Sequence, residues 1–194
     1  MVPDHLNGEL SLSKLDYWMK KHRTQVSGIL GVIILVLANP TPGSLCGGLF
    51  PVVLGESIRI WSSGHIHKNQ VLTVTGPYSL TRNPLYVGSF LLGLGFVVAT
   101  SVAWLIIAYL VFFGVIYWFT IRWEEDKLRS LFGSEWKEYS RNVPRFLPLL
   151  KIPRYRKGEF RWSQVFKNRE LNNASVVAIV YLILWGKAIL TGPR

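Results

Sequence analysis

Residues 85–121 have the sequence LYVGSFLLGLGFVVATSVAWLIIAYLVFFGVIYWFTI, without a single Asp, Glu, Lys or Arg. One bilayer crossing by a helix takes about 20 apolar residues, so this stretch is long enough for two crossings. The small polar pair Thr100 and Ser101 divides it near the middle. The stretch therefore predicts two transmembrane helices, Leu85 to Ser101 and Val102 to Ile121, joined as a tight antiparallel hairpin.

The rest of the 194-residue chain is also apolar, with 49% hydrophobic and 17% charged residues. Soluble domains carry about 25% charged residues, so the composition indicates a bilayer environment. Two further segments of suitable length are Thr41 to Ile60 and Ala174 to Leu190, and a third, Val26 to Ala38, becomes long enough if its helix begins near Ser13. We therefore predict an all-α integral membrane helical bundle with about five transmembrane helices.

The formal net charge of +11 could indicate nucleic-acid binding, but the basic residues are distributed as in a membrane protein. Lys and Arg are abundant from Arg122 to Arg169 and absent from the connections Asn39 to Ser44 and Thr100 to Val102. Alternation of basic and neutral loops follows the positive-inside rule. It predicts a cytoplasmic N-terminus and a site on the cytoplasmic face, with membrane lipids and not nucleic acid as partners.

Beyond Ile121 the pattern becomes amphipathic, with apolar side chains at helical spacing among charged ones. This predicts a cytoplasmic helix that continues the fourth span and ends near Asn142, because Pro144 disfavours helical geometry in the residue before it. Residues 149–173 form a basic interfacial segment, and residues 174–190 an additional C-terminal transmembrane helix capped by Asn172 and Asn173. We predict one domain over residues 1–194.

The densest motif is GPYSLTRNPLYVG at residues 76–88. Gly76 and Pro77 predict a turn, Asn83 an N-cap, and Pro84 the first residue of a helix. With Arg82 beside the helix N-terminus, the motif could bind a carboxylate or phosphate. It could equally be a well-capped membrane helix with a snorkelling arginine.

Acidic residues stand out at two places. The sequence RWEED at 122–126 could bind an ammonium group or ribose hydroxyls, or it could be a solvated helix start paired with nearby cations. Glu56 and Arg59 lie within or near a predicted span, where ionisable side chains are usually paired. They could form a local ion pair or face an acceptor molecule.

Two further motifs follow RWEED in order, LFG at 131–133 and VPRFLP at 143–148, with Trp136 and Tyr139 between them. In order and spacing, residues 55–148 resemble the isoprenylcysteine carboxyl methyltransferase and phospholipid methyltransferase superfamily. The resemblance implies S-adenosylmethionine as cofactor and methyl transfer to a membrane-embedded or lipid-like acceptor. It implies a family-like core at 55–148.

The resemblance also implies roles for individual residues. Arg82 and the helix N-terminus suit the carboxylate of the cofactor, and Glu124 or Glu125, with Glu125 preferred, its ammonium or ribose. The expected cofactor-binding residues are Gly76, Pro77, Tyr78, Arg82, Asn83, Pro84, Tyr86, Trp123, Glu124, Glu125 and Tyr139. The expected catalytic residues are Arg145, Arg59 and Glu56. No metal site is expected, because His65 and His67 lack helical ligand spacing and are expected to be polar interfacial residues.

Many members of the superfamily have histidine at the position of Asn83, and an amide cannot accept a proton near neutral pH. This favours carboxyl O-methylation, since a carboxylate acceptor needs no base. Phospholipid amine N-methylation is the alternative. An NADPH-dependent membrane reductase of the sterol type, which resembles the superfamily in the R-[HN]-P-x-Y-x-G motif, and a non-enzymatic membrane scaffold are further alternatives.

Overall fold

The computed structural model describes residues 28–29, 31–66, 71–148 and 158–191. Within these ranges the regular structure is helical and contains no strand, which confirms the all-α class. The helices are α1 (residues 31–37), α2 (Pro42–His65), α3 (Pro84–Ala99), α4 (Ala103–Asn142), α5 (Trp162–Lys167) and α6 (Glu170–Thr191), with a 3₁₀ turn at Gly76–Ser79.

The predicted hairpin is confirmed as α3 and α4, which are joined by three residues. Ser101 has a φ of 59°, a left-handed conformation that lets the chain reverse in so short a connection. The Thr100 hydroxyl donates to the Val97 carbonyl at 2.6 Å, and its oxygen accepts from the Val102 amide at 3.3 Å. These bonds satisfy polar groups that water cannot reach inside the turn.

Helix α3 packs most closely against α2, along a seam of glycines. A Cβ atom placed on Gly55 would lie 2.6 Å from the Gly88 carbonyl oxygen, and one placed on Gly95 would lie 2.6 Å from the Gly48 carbonyl oxygen. The two backbones therefore touch over two helical turns, in antiparallel order. Inside a bilayer there is no hydrophobic driving force between helices, and small residues stabilise their contact by letting the two backbones pack closely.

Helix α4 runs from the hairpin through the predicted amphipathic region and ends at Asn142, as predicted. Gly133 interrupts it with φ 47° and ψ −112°. After this kink, Trp136 and Tyr139 are buried together with Val143, whereas Leu131 before it is 51% exposed. The kink offsets the two halves of the helix, so the predicted apolar face is fully buried only beyond Gly133, while Leu128 and Phe132 before it are partly buried against the same cluster.

Helix α6 covers the predicted C-terminal segment but begins earlier than expected, at Glu170. Asn172 and Asn173 therefore lie inside the first turn, and their prediction as caps was wrong. Arg169, with a φ of 57°, precedes the helix and turns Glu170 inward. Further along, the Tyr181 hydroxyl donates to the Leu45 carbonyl and holds α6 against α2.

Among the described residues, two helices, α4 and α6, are long and apolar enough to cross a membrane. Only 28% of the most apolar window of α4 and 17% of that of α6 is buried. A core helix of a soluble protein would be mostly buried, so the exposed apolar side chains of α4 and α6 indicate contact with lipid. The exposed side chains include Trp104, Ile107, Val111, Val115, Ile179, Leu182, Ile189 and Leu190.

The count of five transmembrane helices is not confirmed. Helix α3 has 16 residues, about 24 Å of helix against a hydrocarbon core of about 30 Å. Helix α2 is long enough but carries Glu56 and Arg59 among several glycines and serines. The part of the first predicted span that begins near Ser13 lies outside the described residues. The number of crossings remains a prediction.

Candidate active site

The Glu125 carboxylate is the centre of a buried charged network, with the residue only 4% exposed. Its Oε2 accepts from Arg145 Nε at 3.0 Å and Nη2 at 2.8 Å. Its Oε1 accepts from Asn83 Nδ2 at 3.4 Å and lies 3.3 Å from Arg82 Nη1. Glu125 is therefore a buried residue, as predicted, and it joins α4 to the start of α3 and to the segment after α4.

Backbone contacts join the motif around Arg82 to the segment after α4. The Arg82 amide donates to the Pro144 carbonyl at 2.9 Å, and the Thr81 hydroxyl donates to the Phe146 carbonyl at 3.0 Å. Asn83 Nδ2 donates to the Arg145 carbonyl at 2.8 Å. Two motifs more than 60 residues apart are thus held in register.

Asn83 occupies the predicted N-cap position of α3, but its side chain makes no capping hydrogen bond. The amide is directed instead to the Arg145 carbonyl and to Glu125. The prediction of a side-chain cap was therefore wrong. The physical reason is that the Asn83 amide nitrogen lies between a buried carbonyl and a buried carboxylate and donates to both instead of capping the helix.

Arg82 is held between Glu125 and an aromatic ring, with its guanidinium carbon 5.5 Å from the centroid of Trp136. Its Nε is buried and has no hydrogen-bond partner among the described residues. Burial lowers the pKa of the Arg82 guanidinium, and Glu125 opposes that shift. One charged donor therefore remains for an anionic ligand.

The two adjacent acids Glu124 and Glu125 face different partners. Glu124 Oε1 accepts from the Tyr86 hydroxyl at 2.6 Å, and the Tyr86 ring packs edge-on against Tyr117 with centroids 5.0 Å apart. Neighbouring helical residues point about 100° apart, which separates the two carboxylates. Trp123, at 40% exposure, faces outward.

Tyr78 lies in the 3₁₀ turn that Gly76 and Pro77 begin, as predicted; Gly76 has a φ of 58°, which favours glycine. The Tyr78 carbonyl accepts from the Tyr139 hydroxyl at 2.7 Å, and the Ser79 hydroxyl closes the turn onto the Gly76 carbonyl. The Tyr78 ring is buried, and its hydroxyl has no partner among the described residues.

A second charged cluster joins α2, α3 and α6. Arg59 Nε and Nη2 both lie 2.7 Å from Glu170 Oε1, and Arg59 Nη1 lies 2.5 Å from Ser89 Oγ. The local ion pair between Glu56 and Arg59 does not form, because Glu170 takes the guanidinium. Both carboxylate oxygens of Glu56 are buried without a hydrogen-bond partner in the part of the chain that the structure describes.

Sequence reasoning missed Glu170. The signal was an acid at the start of an apolar span, where a charged side chain needs a partner. The partner could not be named, since Arg59 is 111 residues away. The structure thus collects most of the predicted site residues around Glu125, Glu124 and Tyr78, and it places Glu56 and Arg59 in the separate cluster with Glu170.

A cleft of about 430 Å³ lies beside the Gly76 turn. It is lined by His65, residues 71–75, Gly158, Glu159 and Arg161. His65 is buried, and its Nδ1 lies 3.0 Å from the Trp61 carbonyl. Its position at the membrane interface stays a prediction. Its ring packs against Phe160, which shields it. His67 lies outside the described residues, among which no three His, Cys, Asp or Glu side chains could hold a metal ion.

The described residues form a helical fold in which separated motifs meet in one buried charged site, and two of its helices are apolar enough to cross a membrane. The chain belongs to the isoprenylcysteine carboxyl methyltransferase and phospholipid methyltransferase superfamily and is a membrane methyltransferase of that group. Residues 52–135 match the phospholipid methyltransferase family. No solved structure matches the chain.

Three relatives were found. The cobalt-zinc-cadmium resistance protein CzcN of Cupriavidus metallidurans is 33% identical over 84% of this chain and 79% of its own length. The nickel-cobalt-cadmium resistance protein NccN of Alcaligenes xylosoxydans xylosoxydans is 30% identical over 72% and 71%. Protein-S-isoprenylcysteine O-methyltransferase of Schizosaccharomyces pombe is 29% identical over 64% and 55%.

Proposed function

We propose that this membrane methyltransferase uses S-adenosylmethionine to methylate a membrane-embedded or lipid-like acceptor at the cytoplasmic face. The observation that carries the proposal is the site around Glu125. There, motif residues from three segments converge, yet Arg82 Nε and the Tyr78 hydroxyl stay buried without partners among the described residues. Buried polar atoms are normally paired, so two such atoms in one site indicate a ligand that pairs them.

The chemistry of these residues fits the cofactor. Arg82 Nε is a charged donor for its carboxylate, and Glu124, which already accepts from Tyr86, is an acidic group for its ammonium or ribose hydroxyls. The cleft of about 430 Å³ has a volume typical of small-molecule sites; it begins at Thr75, next to the Gly76 turn, and is lined by neither Arg82 nor Glu124. In this arrangement Glu125 holds Arg82 and Arg145 in place, and its own contact with the cofactor stays a prediction.

The cofactor supplies an electrophilic methyl group, so that an acceptor lone pair forms the new bond to carbon while the carbon–sulfur bond breaks and leaves its electron pair on sulfur. The protein contributes position and exclusion of water, with no covalent step of its own. Arg145, whose side chain is 41% exposed, faces outward beside Trp118 and can receive the head of an acceptor. Roles for Arg59 and Glu56 on the acceptor side remain predictions.

The acceptor atom that this site favours is a carboxylate oxygen. The Asn83 amide binds a carbonyl and a carboxylate, and it cannot take up a proton. A carboxylate acceptor loses no proton in the reaction, and Arg145 is a matching cation. Both carboxylate oxygens of Glu56 lack a hydrogen-bond partner among the described residues, and such a carboxylate suits an ammonium group. This observation supports the alternative of an amine acceptor.

The test is methyl transfer by purified protein in lipid nanodiscs, supplied with methyl-labelled S-adenosylmethionine and a lipid extract from the host membrane. We expect label in an organic-extractable product. Alkaline treatment should release that label as methanol if the product is a methyl ester, whereas an N-methyl group would stay bound. Folded protein that neither binds the cofactor nor transfers label would refute the proposal.

A pair of arginine variants localises the activity. Arg82→Gln removes the buried charged donor and should abolish transfer, with folding checked by its melting temperature. Arg129→Gln is the matched control, because Arg129 is 71% exposed and pairs only weakly with Asp126 at 3.8 Å. Equal activity of the two variants would place the cofactor elsewhere.

A further inference from the structure

The Tyr78 hydroxyl is a buried polar group without a partner. Tyr78 is 7% exposed, and its hydroxyl has no hydrogen-bond partner among the described residues. A buried group left in this state costs about 1 to 3 kcal/mol. The backbone on both sides is fixed, because Tyr139 binds the Tyr78 carbonyl and Ser79 closes the turn. These bonds therefore fix the backbone position from which the Tyr78 ring extends.

The other two tyrosines of the motifs use their hydroxyls within the protein. The Tyr86 hydroxyl donates to Glu124, and the Tyr139 hydroxyl donates to the Tyr78 carbonyl. Removing either would leave a protein acceptor without its donor. Tyr78 thus differs from both, since its hydroxyl serves no group of the described fold.

Acidic and phenolic groups surround this hydroxyl from three helices. The groups that act on it are Tyr139 and Glu124 from α4, Tyr86 from α3 and Glu170 from α6. Burial raises the pKa of Tyr78 well above its usual value, and these neighbours raise it further. The hydroxyl therefore remains a neutral phenol, and the acidic group Glu124 acts on it, a setting that suits a cationic ligand.

We propose that the Tyr78 hydroxyl oxygen contacts the positively charged sulfonium–methyl end of the cofactor and so fixes the position of the methyl group to be transferred. The inference rests on the proposed function and assigns one residue of that site. A phenol oxygen has lone pairs that accept C–H hydrogen bonds, and hydrogens next to a cationic sulfur are good weak donors. Glu124 adds attraction for the positive charge.

The test compares two ligands that differ in charge at this one atom. S-adenosylmethionine carries the sulfonium, and S-adenosylhomocysteine has a neutral thioether and no methyl group. Tyr78→Phe removes only the hydroxyl. We expect the affinity for S-adenosylmethionine, measured by calorimetric titration, to fall about 2- to 5-fold while that for S-adenosylhomocysteine stays unchanged.

Tyr181→Phe is the control, because it removes a hydroxyl that binds the Leu45 carbonyl in the contact between α2 and α6. It should leave both affinities unchanged. The melting temperature gives a second readout: Tyr78→Phe should melt at or above the wild-type temperature, since it removes an unpaired buried group, whereas Tyr181→Phe should melt lower.

Equal loss of both ligands in Tyr78→Phe, no loss of either, or a variant that no longer folds would overturn the inference. Wild-type protein that binds neither ligand would instead refute the proposed function itself. The two failures are therefore distinguishable.

Discussion

Two buried carboxylates, Glu125 and Glu170, hold this protein together in different ways. Glu125 is bound by two arginines and an amide from the sequence motifs, and after that binding Arg82 Nε still has no hydrogen-bond partner among the described residues. Within the part of the chain that the structure describes, the Glu170 side chain is bound by Arg59, whose three nitrogens are all engaged with Glu170 and Ser89. The Glu125 network therefore retains a donor for a ligand. In the Glu170 network all the Arg59 nitrogens are engaged, and this network attaches α6 to the core.

The largest effect is expected at Glu125. Glu125→Ala leaves Arg82, whose side chain is 13% exposed, as a buried unpaired charge, so the free energy of unfolding should fall by about 3 to 5 kcal/mol. Denaturant unfolding in detergent micelles measures this. Glu138→Ala, at an exposed position of the same helix, should change the free energy by less than about 0.5 kcal/mol. Equal stability of the two variants would show that the Glu125 network has no structural role.

A smaller loss is expected at Glu170, because another acid lies close to its arginine. Glu170→Ala frees Arg59, and Glu56, one helical turn away, can pair with it; the free energy of unfolding should fall by roughly 2 kcal/mol. The double variant with Glu56→Ala should lose more than the sum of the two single losses. If the two losses in free energy of unfolding are strictly additive in this double-mutant cycle, Glu56 does not replace Glu170 as the partner of Arg59.

The glycine seam offers a test that involves no charge. Gly55→Ala places a methyl group 2.6 Å from the Gly88 carbonyl oxygen and should cost about 1 to 3 kcal/mol through forced separation of α2 and α3. Gly47→Ala on the same helix meets only the Val98 side chain at 3.9 Å and should be neutral or stabilising. Melting temperatures of the two variants decide it, and equal values would exclude the close contact.

The smallest effect is expected at Thr81, which joins the two motif segments through its hydroxyl. Thr81→Val keeps the shape and removes the bond to the Phe146 carbonyl, which should cost about 1 kcal/mol. Because Arg82 and Arg145 are positioned by the same contact, cofactor affinity should also fall several-fold. Ser140→Ala, which removes an exposed local hydrogen bond, should change neither quantity.

The sequence predicts those features that depend on neighbouring residues. The length of the charge-free stretch predicts the α3–α4 hairpin, and Pro144 predicts the end of α4 at Asn142. The order of the motifs predicts which side chains gather around Glu125. These features follow from helical geometry and local sterics, which act over a few residues.

The features that were missed depend on contacts across the fold. The pairing of Arg59 with Glu170, the burial of His65 under Phe160 and the orientation of the Asn83 amide each need a partner from a distant segment. A single sequence does not specify which of several acids or carbonyls comes close to a given donor. The choice is made by helix packing, here by the glycine seam and the attachment of α6.

The central claim is tested most directly by titrating purified wild-type protein with S-adenosylmethionine and, separately, with NADPH, while heat release and melting temperature are recorded. The account predicts saturable binding and a raised melting temperature with S-adenosylmethionine and neither with NADPH. Stabilisation by NADPH alone would indicate a reductase of the sterol type. Binding of neither by folded protein would contradict the assignment of a cofactor site at the Glu125 network.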